Sequence, residues 1–126
     1  MTDYTAKRIN EMEAGFGGGF VKARAELGVT AFGFQVIQLP PDFTEYPEHD
    51  HAEDGQEEVY VVLRGQAEFV IGGEQVTISQ GEMLKVDAAS KRRLQAGQDG
   101  VRVLAIGCTP GATYERPEAF RSQARV

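Results

Sequence analysis

The sequence predicts an all-β domain, because short apolar runs alternate with turn residues along most of the chain. Fifteen glycines are spread through 126 residues. About eight runs rich in β-branched and apolar residues are separated by turns roughly every ten residues, a pattern typical of a β-sandwich or β-barrel. An apolar period of 3.6 residues, which would indicate long helices, is missing. No segment repeats, so we expect one barrel rather than two.

The first elements are a short helical turn and two strands. Residues 8–14 can form one or two helical turns, which are too few to be stable alone. The glycines at 15 and 17–19 end this segment. We predict strands at 20–27 and 31–39, the second of which stops at a pair of prolines.

The centre of the chain predicts a hairpin. Two strand-like runs, 67–71 and 74–78, flank the pair Gly72-Gly73, which is a strong signal for a two-residue turn. A further strand at 58–63 precedes this hairpin and ends at Gly65. The remaining strands are predicted at 83–86, 93–95 and 101–106.

These elements predict three parts of one chain. An N-terminal segment covers residues 1–19, the barrel covers 20–109, and a polar C-terminal tail covers 110–126. The tail contains Pro117 and several charges, so we expect it to lie on the surface.

Composition excludes several classes of partner. With 13 basic and 19 acidic side chains the net charge is −6, whereas nucleic-acid and anionic-membrane binding call for a basic surface. No apolar run approaches the length of about 20 residues that spans a bilayer, and the N-terminus lacks the features of a secretory signal. The single cysteine excludes an intrachain disulfide. We therefore expect a cytoplasmic protein.

The strand at 58–63 carries apolar side chains on both of its faces. Side chains alternate along a strand, so Tyr60 and Val62 share one face while Val59, Val61 and Leu63 share the other. A small sandwich covers only the inner face of a strand. We expect a homodimer in which a partner subunit covers the outer face, with the N-terminal segment as the alternative cover.

The two histidines of the chain lie close together. His49 and His51 point the same way if the segment is extended, and Glu58 follows after an acidic loop. Two imidazoles and a carboxylate suit iron, and manganese, zinc or nickel are also possible. The alternative is that both histidines are solvated residues of an acidic loop.

The order of these residues resembles the first motif of the cupin family. In that family the motif runs Gly, five residues, His-x-His, three or four residues, Glu, six residues, Gly. Here His49-x-His51, Glu58 and Gly65 match it, and the resemblance extends over residues 43–107. The resemblance implies a single jelly-roll barrel with a pocket inside it. The implied pocket residues are His49, His51, Glu58, Tyr60 and Arg92.

The chain departs from the family pattern in both motifs. Phe43 replaces the leading glycine of the first motif, and the spacer between His51 and Glu58 is longer than usual. The second motif is recognisable by position between Gly81 and Ala96. There the proline, the glycine, the last metal histidine and the asparagine of the family are replaced by Asp87, Ala89, Arg92 and Ala96.

Arg92 cannot serve as a metal ligand, because a guanidinium stays protonated and has no lone pair to give. Three hypotheses remain for it. Arg92 pairs with Glu58 in a metal-free pocket, or it grips an anionic group of a substrate beside a metal, or it lies on the surface. Tyr60 shares a face with Glu58, and Gln56 has the same parity, so both are candidate ligand-binding residues beside Arg92.

The predicted function is binding of a small polar or anionic molecule in the barrel. His49, His51 and Glu58 are the candidate metal ligands, and a metal-dependent enzyme of the dioxygenase or isomerase kind is one form of this function. The alternative is a metal-free binding or sensing module in which Arg92 replaces a metal histidine. A structural barrel with a vestigial pocket is a third possibility. No catalytic residue is identified at this level.

Overall fold

The computed structural model describes residues 3–124 and 126, and it confirms the all-β prediction. Seven strands of the described chain form one antiparallel sheet in the order β1-β2-β3-β7-β4-β5, with β6 paired to β4. The strands are β1 (Ala14–Gly15), β2 (Phe20–Val21), β3 (Gly33–Leu39), β4 (Glu57–Ile71), β5 (Glu74–Ser79), β6 (Met83–Val86) and β7 (Arg92–Cys108). Helix α1 spans Ala23–Leu27, and 3-10 turns span Ile9–Glu11, Phe16–Gly18 and Glu118–Phe120.

Two long strands close the sheet into a barrel. β4 has 15 residues and β7 has 17, and their pairing shifts register between Val62 and Arg64 and again between Gly65 and Ala67. Such bulges bend a strand, so each long strand contributes to both halves of the barrel. The predicted breaks between 63 and 67 and between 95 and 101 are therefore wrong, because bulges within continuous strands take the place of turns.

The predicted strand at 20–27 is also wrong beyond Val21. Only Phe20–Val21 is in a strand, and α1 begins at Ala23 after the single residue Lys22. Its residues are Ala-Arg-Ala-Glu-Leu, which are strong helix formers, and Gly28 ends the helix with a φ of 75° in the left-handed region that favours glycine. The predicted N-terminal helical turn is confirmed as the 3-10 turn Ile9–Glu11.

The hairpin between β4 and β5 is as predicted. Gly72 and Gly73 have φ values of 56° and 86°, and Ile71 pairs with Glu74 across the turn. Positive φ at both central residues defines the two-residue turn that matches the twist of antiparallel strands.

The main core fills the barrel, and a smaller cluster lies outside it. Tyr60, Val62 and Phe69 of β4 belong to the inner cluster and are almost fully buried. Outside the barrel, Ile9 and Met12 of the N-terminal segment pack beside β2 and β3. This segment therefore covers the outer face of β3, and Leu63 on the outer face of β4 remains 38% exposed.

The C-terminal tail lies on the surface as expected, and it packs against the rest of the protein there: its described residues are exposed or half-buried. The fully buried guanidinium of Arg24 donates to the main-chain oxygens of Val29, Phe120 and Val126, which brings the tail against α1. Residues 1, 2 and 125 of the predicted terminal segments lie outside the described residues. Within the described part of the chain, no helix is both long and apolar enough to cross a bilayer.

Candidate metal centre and ligand cavity

The segment before β4 holds the two histidines against the start of β7. His49 and Arg92 exchange both main-chain hydrogen bonds, at 3.0 and 2.9 Å, and the amide of His51 donates to the oxygen of Ala88 at 2.7 Å. These bonds join the segment of the first predicted motif to that of the second. They fix the backbone from which both imidazoles reach Glu58.

The three predicted metal ligands form one cluster. Nε2 of His49 and Nε2 of His51 each lie 3.3 Å from Oε1 of Glu58, and the candidate ligand atoms of the three residues lie within 4.8 Å of one another. Metal–nitrogen and metal–oxygen bonds of about 2.0–2.1 Å in a tetrahedron separate two ligand atoms by about 3.3 Å. The residues present therefore fit a divalent ion.

One nitrogen of the cluster forms no hydrogen bond in the described structure. Nε2 of His51 is buried and, although it lies 3.3 Å from Oε1 of Glu58, has no hydrogen-bond partner among residues 3–124 and 126. Nδ1 of the same ring lies 3.1 Å from Asp54. A carboxylate at Nδ1 orients a ligating imidazole and leaves Nε2 for the metal.

Asp54 is itself held in place. The main-chain and side-chain amides of Gln56 donate to its two oxygens at 3.1 Å each. Burial alone would raise the pKa of Asp54, but these donors and His51 lower it below its ordinary value. The pKa of His51 is raised, first by its contact with Glu58 and also by Asp54. Asp54 is thus an anion that holds the His51 ring in a single orientation.

Arg92 reaches the same carboxylate from within the protein. Its side chain is 1% exposed, Nη1 lies 3.0 Å from Oε1 of Glu58, and Nη2 donates to the main-chain oxygen of Asp87 at 2.7 Å. The hypothesis of a surface role is therefore wrong. The contact with Glu58 is the one that the pairing hypothesis requires, and contact with a substrate anion stays a prediction.

Tyr60 completes the surroundings of Glu58. Its hydroxyl donates to Oε1 at 2.7 Å, so groups from four residues approach one carboxylate oxygen. Burial alone would raise the pKa of Glu58, but His49, His51 and Tyr60 hold it well below its usual range. Burial and the negative charge of Glu58 raise the pKa of Tyr60. Glu58 is therefore the anionic centre of the site.

A cavity of about 1020 Å³ opens beside this cluster. Its wall is formed largely by aromatic and aliphatic side chains from β3, from the segment that precedes His49 and from both terminal segments. Of the predicted site residues, those on the wall are His49, His51, Gln56, Glu58 and Tyr60. Arg92 is not among the lining residues, because it contacts Glu58 from the buried side.

Several residues of the cavity wall were missed by sequence reasoning. One of them is Tyr46. Burial, together with the charge of Glu58, raises the pKa of its hydroxyl to about 12. Gln35 also lines the cavity; β3 contains a second glutamine, Gln38, so the sequence alone did not single out Gln35. Tyr114 and Phe120 of the tail also line the cavity, together with Phe16, and no local sequence signal relates them to the barrel.

Comparison with known proteins places these features in a family context. The family model described as Cupin domain matches residues 35–107. No curated protein matches the chain significantly. A cupin protein from Bacteroides fragilis superposes with a TM-score of 0.71 at 22% identity, over 93% of both chains.

Two other solved structures carry more specific descriptions. The Cupin_2 domain of an XRE-family transcriptional regulator from Enterobacter cloacae matches with a TM-score of 0.56 at 21% identity, over 71% of this chain and 87% of that one. A sugar phosphate isomerase of the cupin superfamily from Silicibacter pomeroyi matches with a TM-score of 0.63 at 17% identity, over 76% of this chain and 59% of that one. At these identities the likeness is one of fold.

Proposed function

Because the chain belongs to the cupin family, we propose that it holds a divalent transition metal through His49, His51 and Glu58 and binds a small molecule in the adjoining cavity. The observation that carries this proposal is the cluster itself: three candidate ligand atoms lie within 4.8 Å of one another on the wall of the cavity. Asp54 supports it by orienting His51.

The ligand set leaves room for chemistry at the metal. Two imidazoles and one carboxylate suit iron, manganese, zinc or nickel and leave coordination positions open. A bound ion would supply a Lewis acid that polarises an oxygen of the bound molecule. The wall residues would orient that molecule and exclude water. An isomerase is among the proteins of similar fold, so isomerisation and oxygenation are the reactions to assay first.

One specific contact favours a second candidate function. The guanidinium of Arg92 lies 3.0 Å from the carboxylate oxygen that a metal would share. Two unit charges 4 Å apart interact by about 4 kcal/mol at an effective dielectric constant of 20, so a dication here is opposed by a sizeable repulsion. In this second proposal Arg92 takes the place of the ion, and the protein is a metal-free binding or sensing module.

Elemental analysis of untagged protein distinguishes the two proposals. The first requires about one first-row transition metal per chain, and it requires His49→Ala and His51→Ala each to remove the metal. Glu53→Ala is the matched control, because Glu53 is an exposed acid of the same loop. Metal-free parent protein that also fails to take up nickel or zinc would support the second proposal. Metal retained in both histidine variants would place the ion elsewhere.

A further inference from the structure

Gln35 is a buried polar residue that the fold itself does not use. The residue is 7% exposed, and its Oε1 has no hydrogen-bond partner among the described residues. Leaving a buried polar group unpaired is unfavourable, and most such groups in folded proteins are paired with protein or water. Since Gln35 lines the cavity, a bound molecule can supply the missing partner.

The sheet register places Gln35 two strands away from Tyr60, whose hydroxyl donates to Glu58 of the metal cluster. Ala105 of β7 pairs with Gln35 on one side and with Tyr60 on the other, so all three share the inner face of the barrel. Adjacent strands are about 4.8 Å apart, which puts the backbones of Gln35 and Tyr60 about 10 Å from each other. Ala105, with its short side chain, lines the cavity between them.

The next residues along the same face narrow this space. A Cβ at Gly33 would collide with the Tyr114 ring, so this ring fills the place of a side chain there. A Cβ at Gly107 would likewise collide with the amide oxygen of Gln56, so this side chain fills the corresponding place there. The space above Ala105 is therefore bounded by Gln35, Tyr60 and these two side chains.

The charge of the cavity wall disfavours an anionic ligand. Among the described residues that line the cavity there is no lysine or arginine, whereas Glu45, Asp54 and Glu58 all contribute carboxylates. The buried cation nearest the cluster, Arg92, already pairs with Glu58. An anionic ligand in this cavity would therefore face carboxylates on a wall that offers no lysine or arginine among the described lining residues.

We propose that Gln35 is the residue that selects the ligand, and that the cavity takes an uncharged, mainly apolar molecule. One polar group of the molecule hydrogen-bonds with the Gln35 amide, and a second faces His49, His51 and Glu58. This inference rests on the proposed function in one respect, that the cavity binds a small molecule, and it names the class of that molecule.

The test uses matched pairs of aromatic probes that differ in charge. Benzamide and benzoate, phenylacetamide and phenylacetate, and nicotinamide and nicotinate are titrated by NMR against the parent and against Gln35→Leu. We expect the variant to bind the three amides about 3- to 10-fold more weakly, the factor that one hydrogen bond contributes. Gln98→Leu is the control, because Gln98 is exposed and does not line the cavity, and we expect parent affinities for it.

The melting temperature of Gln35→Leu distinguishes a role of Gln35 in ligand binding from a role in the stability of the fold. Because Gln35→Leu removes an unpaired buried polar group, we expect a melting temperature equal to or above that of the parent. A lower melting temperature would indicate a structural role. If Gln35→Leu does not fold, Gln35→Met keeps the length of the side chain and repeats the test. Unchanged amide affinities in the variant, or a parent that binds none of the probes, would overturn the proposal.

The charge preference is measured in His51→Ala, so that a metal cannot coordinate a carboxylate. We expect each amide to bind more tightly than its carboxylate in this background, and the reverse order would overturn the proposal. Metal content separates this outcome from the proposed function. A parent that holds metal while Gln35→Leu has no effect contradicts only this inference, and a metal-free parent that still depends on Gln35 contradicts only the metal centre.

Discussion

His49 and Arg92 are joined through their backbones and reach the same carboxylate oxygen with their side chains. They exchange both main-chain hydrogen bonds, and Nε2 of His49 and Nη1 of Arg92 lie 3.3 and 3.0 Å from Oε1 of Glu58. A candidate metal ligand and a fixed positive charge therefore share one anion. The residue at position 92 should control how strongly the cluster binds a metal.

Replacing Arg92 with histidine tests this control. Arg92→His removes the positive charge beside the cluster and adds an imidazole nitrogen as a fourth candidate ligand to His49, His51 and Glu58. We expect nickel and zinc to bind at least about tenfold more tightly than to the parent, measured by calorimetry after removal of resident metal.

The neighbouring arginine provides the control for this substitution. Arg93 follows directly in β7 and is exposed, because consecutive side chains of a strand face opposite ways. Arg93→His adds the same imidazole without access to Glu58, so its metal affinity should equal that of the parent. Equal affinities for Arg92→His and the parent would show that the charge of Arg92 does not limit metal binding.

Tyr60→Phe tests the hydroxyl that donates to Glu58. The variant keeps the ring, which packs against Phe69 at a centroid distance of 4.9 Å, and loses only the hydrogen bond of 2.7 Å. A hydrogen bond to a charged group contributes about 1.5–3 kcal/mol, so we expect a loss of that size in the free energy of unfolding in urea. The control is Tyr4→Phe, since Tyr4 is 77% exposed. A change below about 0.5 kcal/mol in Tyr60→Phe would contradict the assigned donor role.

The features that sequence reasoning predicted are those encoded locally. Gly72 and Gly73 specify their turn without help from the rest of the chain, and the order and spacing of His49, His51 and Glu58 indicate the cluster. Arg92 could be related to Glu58 only through the family register, because they are 34 residues apart in sequence.

The features that were missed depend on contacts between distant segments. Gly65 was interpreted as a turn because a glycine after an apolar run commonly ends a strand, yet it forms a bulge that keeps β4 continuous. Tyr114 lies over Gly33 although about 80 residues separate them along the chain. No periodicity or motif reports such a contact, so the aromatic part of the cavity wall was not foreseen.

Gly65→Ala tests whether the last residue of the first cupin motif must be a glycine for steric reasons. Gly65 has a φ of 79°, and a Cβ there would overlap the main-chain oxygen of Gly100 on the adjacent strand. Because backbone cannot move aside as a flexible side chain can, we expect a loss of at least about 3 kcal/mol in the free energy of unfolding, or insoluble protein. Gly72→Ala is the control, with a φ of 56° and open space around the Cβ. We expect it to lose only about 1 kcal/mol, and equal losses in the two variants would contradict the overlap at Gly65.

The outer face of β4 leads us to expect a homodimer. Val61 pairs with Met83 of β6, and Leu63 follows on the same face; Met83 is 65% exposed and Leu63 38% exposed. Since Ile9 and Met12 cover β3 instead, a second copy of the chain is the cover we propose for this surface.

Light scattering at micromolar concentration should give twice the chain mass of 13.8 kDa. Leu63→Glu and Met83→Glu should each shift the mass toward that of the monomer, because a buried unpaired carboxylate is unfavourable at an interface. Gln80→Glu, at an exposed turn, should leave the dimer intact. A parent that is monomeric under these conditions would contradict the dimer and leave the apolar surface of β4 and β6 open to solvent.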